Sequence, residues 1–283
     1  MLKRIFIYLI ILIGIGLAMY PWISNYLYEK SADSQVITYQ EKTDSMKDED
    51  LEEMLKQAEE YNRILSQSQV ELTDPFVADQ EALDEKLEYK SLLNIDNSGM
   101  IGYIEIPAIS VNLPIFHGTQ ASTLEKGIGH LEGSSLPVGG NSTHSILTGH
   151  TGLNSAKLFT DLTELSENDL FFIYVAGRNL AYKVCEINVV KPEDISKLMI
   201  QSGRDLVTLV TCTPYGVNTH RLLVTGERTD YNEDVKDQAE KQAKNTDSQW
   251  MRTYRNAIIV SLIIAFVILF LLNLFQKRRR KKK

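Results

Sequence analysis

With only two cysteines in 283 residues, the chain cannot build the framework of a disulfide-stapled mini-protein. It has no internal repeat and no low-complexity tract. Its charge is not extreme and 43% of its residues are hydrophobic, which excludes a wholly disordered chain. No two histidines or cysteines fall at metal-ligand spacing, so neither metal nor cofactor is expected. Basic residues are in deficit: 30 Lys and Arg against 37 Asp and Glu give a net charge of -7, which argues against nucleic acid as a partner. The length suits one ordinary domain with a small accessory segment.

Charge is also missing from two apolar stretches, 5–24 and 256–276. About 20 apolar residues at roughly 1.5 Å rise match a hydrocarbon layer of roughly 30 Å. Each stretch is therefore expected to form a transmembrane helix, with membrane lipid as a partner. Lys3 and Arg4 precede the first, and seven basic residues, 277–283, follow the second. By the positive-inside rule both termini are expected in the cytoplasm, with the middle of a two-pass cell-membrane protein outside. No small-x-small cleavage site follows the first stretch, so it reads as an uncleaved anchor. The resulting division is a tail 1–4, a helical extension 25–98, a β domain 99–228, a polar linker 229–255 and a basic tail 277–283. The tails hold nine positive charges, so the remainder carries -7 less nine, or -16, and a protein partner is expected rather than an anionic polymer.

In the polar extension, Leu51, Met54, Leu55, Ala58, Tyr61, Ile64 and Leu65 recur at helical spacing. Asp50, with Glu53 three residues on, resembles a capping box. A helix with one apolar stripe is expected to dock on the domain that follows. From Gly99 the pattern changes to short β-rich runs at 101–106, 111–116, 144–149, 170–175, 180–190, 205–212 and 221–227, separated by Gly, Pro, Asn and Ser clusters. One short helix is expected near 156–165. The fold class is mainly β: seven or eight strands in a closed or nearly closed barrel with small helical insertions.

The two cysteines differ in setting. Cys185 sits inside an apolar strand, as a buried inert thiol would. Cys212 ends the run DLVTLVTC, and the loop TPYGVNTH leads straight into Arg221. If those strands pair as an antiparallel hairpin, Cys212 and Arg221 stand side by side at the barrel rim. A neighbouring cation favours thiolate and can stabilise an oxyanion. The residues alone leave open whether Cys212 is a nucleophile or half of a disulfide. A thiol nucleophile needs a proton shuttle. Among five histidines, His117 and His130 occupy loop or wall positions, His144 begins a strand, and His220 points away from Arg221. His150, closing SILTGH between glycines at a strand end, is the preferred candidate.

TLVTC followed nine residues on by Arg221, with LTGHTG upstream, resembles the sortase family of cysteine transpeptidases. GYIEIP, NLPIFHGT, GIGHLEGSSLPVGG, AKLFTDL and TLVTCTPYGVNTHRLLVTGER are similar to class C sortases, the pilin-polymerising branch. The resemblance covers roughly 99–228. Thr151 stands where the branch often has arginine after the histidine, a departure expected to tune activity rather than abolish it. The resemblance implies an eight-stranded sortase β-barrel, with Cys212 as nucleophile, His150 as acid/base and Arg221 as oxyanion-stabilising cation. It also implies a lid carrying an Asp-Pro-aromatic motif, which Asp74, Pro75 and Phe76 match. Asp74 would approach Arg221 or a polar neighbour, and Phe76 would cover the Cys212 sulfur.

The implied partners are pilin precursors with LPXTG-like sorting signals and an acceptor lysine of the next pilin. Three rivals stand beside this reading: an anchoring sortase acting on peptidoglycan, a secreted cysteine protease, and a non-catalytic module with Cys212 tied to Cys185. The protease is disfavoured because papain-like enzymes place cysteine before histidine.

Overall fold

The structure is a computed structural model that describes residues 2–68, 72–76, 87–153, 155–242, 252, 254–267 and 270. It divides into two compact units, Met1–Tyr20 with Asp247–Lys283, and Pro21–Thr246.

The second unit is built on a closed eight-stranded barrel. Its strands are β1 (Met100–Ile106), β2 (Val111–His117), β3 (Ile128–His130), β4 (Thr143–Thr148), β5 (Leu170–Val175), β6 (Arg178–Val190), β7 (Asp205–Thr213) and β8 (His220–Thr229). They close in the order β1-β2-β3-β4-β7-β8-β6-β5. Seven of these strands coincide with β-rich runs of the sequence. The eighth, β3, is three residues long, too short for alternation to show, and lies where a loop or wall position was expected. Side-chain alternation sends Leu147, Val207, Leu209, Leu222 and Val224 into the core, while their neighbours face outward. The short helix expected near 156–165 is a 3₁₀ turn, Thr160–Glu164.

Two helices pack on the barrel. In α1 (Leu2–Ser45), Ala32, Val36 and Tyr39 are buried at helical spacing. The Tyr39 hydroxyl donates to the Ile101 carbonyl (3.0 Å) and accepts from the Ala176 amide (3.0 Å). In α2 (Asp48–Ser66), Leu55, Ala58, Asn62 and Leu65 are buried, so the expected stripe docks. Asn62 donates to the Leu136 carbonyl (2.9 Å) and accepts from the Leu136 amide (2.7 Å), satisfying a backbone segment that has no strand partner there. The capping box is not formed: α2 starts at Asp48, after an N-cap Lys47 with no side-chain cap. The three acids Asp48, Glu49 and Asp50 lie in its first turn instead, where the helix dipole favours negative charge. Short helices α3 (Leu87–Ser91) and α4 (Ala121–Leu124) flank β1 and β3. In the expected linker 229–255, residues Glu233–Gln242 form α5.

The two expected transmembrane helices are not found. No helix among the described residues is long and apolar enough to cross a membrane, and the two-pass cell-membrane placement, with both termini cytoplasmic, falls with them. The apolar stretch 5–24 lies within α1 (Leu2–Ser45). Of the stretch 256–276, the described residues are 256–267 and 270, and they are helical. The basic tail 277–283 lies outside the described residues.

Candidate active site

Strands β7 and β8 form the expected hairpin, and its register pairs Cys212 directly with Arg221. On its other side β7 pairs in parallel with β4, ending at Thr148↔Val210. The Gly149 amide then donates to the Val210 carbonyl (3.0 Å), and the Thr211 hydroxyl donates to the Gly149 carbonyl (2.7 Å). Continuing that register brings His150 level with Cys212. Three adjacent strand ends thus carry His150, Cys212 and Arg221 along one rim.

The turn Asp74–Pro75–Phe76 lies over this rim. Arg221 Nε and Nη2 donate to the two Asp74 carboxylate oxygens at 2.9 and 2.6 Å, and the side chains are 9% and 8% exposed. Such a two-point, nearly dry pair holds both geometry and charge. The guanidinium carbon lies 4.9 Å from the Phe76 ring centre, and that ring is 5.7 Å from the His150 ring. Phe76 therefore spans the gap between cation and imidazole. Leu72, upstream of it, packs with Leu131, Ile146, Leu198, Val210 and Leu223 on the outer barrel face.

The electrostatics set the resting protonation. Burial pushes the Cys212 thiol up, Arg221 pulls it back, and the Asp74 carboxylate pushes it up again; the net shift is upward. Burial lowers His150, with Glu125 opposing, and the net shift is downward. Burial also disfavours the Arg221 cation, but the bonds from Asp74 and the nearby negative charge outweigh it. With the turn in place the site holds a neutral thiol, a neutral imidazole and a guanidinium satisfied by a carboxylate.

The remaining histidines have structural work. His144 bonds Met199 O and Thr208 Oγ1 (3.0 and 2.7 Å), and His130 bonds the Tyr89 hydroxyl and Ser135 O (2.7 and 2.8 Å). His117 Nδ1 meets Gly99 O, and His220 Nδ1 meets Thr219 Oγ1. Neither ring nitrogen of His150 has a hydrogen-bond partner among the described residues.

Cys185 is not the buried thiol expected. It is exposed, because strand alternation that turns Leu180, Tyr182 and Val184 into the core places Cys185 on the outer face; both it and the half-buried Cys212 are free thiols. Sequence reasoning also missed Thr211, 1% exposed, which ties the cysteine strand to the histidine loop. Its one signal was a hydroxyl at an inward position of an apolar strand. Among the described residues, no cluster of His, Cys, Asp and Glu could hold a metal ion.

The family described as Sortase domain matches residues 104–229. The chain is similar to sortase C-1 of Actinomyces oris, with 48% identity and a TM-score of 0.60 over 64% of this chain and 99% of that one. It is also similar to sortase C1 of Streptococcus agalactiae, with 44% identity and a TM-score of 0.65 over 70% of this chain and 100% of that one. Sortase D of Bacillus subtilis is 30% identical over 130 residues, 45% of this chain but 63% of that protein, so the match spans under two thirds of it.

Proposed function

The chain belongs to the sortase family of cysteine transpeptidases, in its class C branch, and from that premise we propose that it polymerises pilins by transpeptidation on Cys212. The observation that carries this reading is a free thiol paired across strands with a buried guanidinium, next to an imidazole whose ring nitrogens have no hydrogen-bond partner among the described residues. The substrate is an LPXTG-like sorting signal on a pilin precursor.

The thiol proton passes from Cys212 to His150, and the thiolate attacks the threonine carbonyl. A sulfur–carbon bond forms, and Arg221 stabilises the oxyanion. As the carbon–nitrogen bond to glycine breaks, His150 returns the proton to the departing amine. The thioester then meets a lysine amine of the next pilin; the amine loses a proton to His150, an isopeptide forms and the thiol is restored. One amide is exchanged for another, so no nucleotide is required. Water competes at the thioester, and a cover that excludes it favours transfer over hydrolysis. In the closed arrangement Asp74 occupies the guanidinium that the oxyanion needs, so Asp74–Pro75–Phe76 acts as a lid that substrate must displace.

The test is mass spectrometry of the full chain after incubation with an LPATG peptide, with the adduct mapped. A thioester on Cys212, absent in Cys212→Ala, is expected. An adduct on Cys185, or turnover surviving Cys212→Ala, overturns the proposal.

A further inference from the structure

The outer face of β4, β7 and β8 continues away from the rim as a ladder. Below the Cys212–Arg221 rung come Thr148–Val210–Leu223, then Ile146–Thr208–Thr225, then His144–Leu206–Glu227. Each rung is two residues on, so the His144 rung lies about 20 Å from Cys212. There the surface opens into a cavity of about 670 Å³, whose lining includes Ser134, His144, Leu198, Ile200 and Ser202. That volume is in the range of about 300–1,000 Å³ typical of ligand sites.

The lid reports how a peptide lies in this channel. Ser68 and Leu72 both line the cavity, and Phe76 lies on the His150 ring. The chain therefore runs from cavity to rim in the amino-to-carboxyl direction. A substrate following the same course, with its threonine carbonyl at Cys212, has its motif leucine only about 10 Å back, at roughly 3.3 Å per residue. That leaves about 10 Å to the His144 rung, a distance that the three or so residues before the motif span in extended form.

We propose that this cavity is a subsite for the three or so residues immediately upstream of the sorting signal, taken as an extended, uncharged segment of the pilin. The proposal rests on the function given above and specifies how one donor is chosen over another. Apart from His144 no described lining side chain is acidic or basic, and burial holds the doubly hydrogen-bonded His144 below its ordinary pKa despite the Met199 carbonyl. An ion entering there would lose hydration without a counter-charge, whereas serine hydroxyls and Leu198 and Ile200 suit a neutral peptide. These upstream residues remain on the enzyme in the thioester, so the contact acts through both half-reactions.

The experiment compares an LPATG peptide with the same motif extended by four neutral residues upstream, or by four downstream. On the full chain the upstream extension is expected to raise kcat/KM about tenfold, and Ile200→Glu to cancel that gain while leaving the short peptide unchanged. A second reading needs no turnover. Ser202→Cys, in a chain with Asp74, Cys185 and Cys212 changed to alanine, should be shielded from a thiol reagent by the upstream-extended peptide and not by the short one. Gain or shielding from the downstream extension instead, or none from either, overturns the subsite. Shielding of Ser202→Cys in a chain whose parent does not cleave LPATG would sink the transpeptidase reading and leave the subsite standing.

Discussion

Asp74 and Arg221, 147 residues apart, form a two-point ion pair that closes the rim over Cys212. The same guanidinium lies across the strand pair from the thiol, so it sits between the Asp74 carboxylate and the sulfur. Burial first, and the Asp74 carboxylate after it, push the Cys212 thiol up; in the mechanism proposed above, departure of the carboxylate frees the cation for thiolate and oxyanion. Closure and chemical competence are thus opposed through one side chain.

Replacing Asp74 with alanine removes a negative charge that raises the Cys212 pKa and frees the turn. Iodoacetamide labelling of Cys212 at neutral pH should quicken about tenfold, as expected when a closed segment opens readily. The rate-versus-pH curve should also move to lower pH. Identical curves for the two proteins would mean that Asp74 governs neither access nor ionisation.

Arg221→Lys keeps a positive charge but loses the two-point fork. Peptide cleavage should fall about 10²-fold, as when an oxyanion donor is lost, while thiol labelling rises because the lid is less firmly held. Retained cleavage would place oxyanion stabilisation elsewhere.

His150→Ala should lower cleavage about 10³-fold, within the range for loss of a general acid/base, with little change in Tm. His144→Ala should do the reverse: cleavage near wild type, but stability lower by about 1–3 kcal/mol, because Thr208 and the Met199 carbonyl lose a buried partner. The opposite ranking would identify His144 as the proton carrier.

Acid should unfold the protein partly through His130. Burial pushes this fully buried imidazole down to about 3, against an ordinary value of 6.5. Between those values the unfolded chain binds a proton that the folded one refuses, so stability falls as pH drops from 6.5 towards 3. Tm measured against pH should be flatter for His130→Gln across that window. Parallel curves would show that other groups set the acid limit.

Much of this was legible in the chain because it is local. Strand alternation marked seven of the barrel's eight strands, and an eight-residue loop between Cys212 and Arg221 almost forces them together once they pair. A stripe of apolar residues likewise announced that α2 docks. What sequence could not determine involves contacts that exist only after the barrel closes. The parallel β4–β7 pairing levels His150 with Cys212 across 62 positions of chain, and the ladder's far end becomes a cavity only between separate segments. The expected spans at the two apolar ends are not found among the described residues. Periodicity fixes which residues face inward within an element; which elements then face each other depends on closure, and closure is a property of the whole barrel.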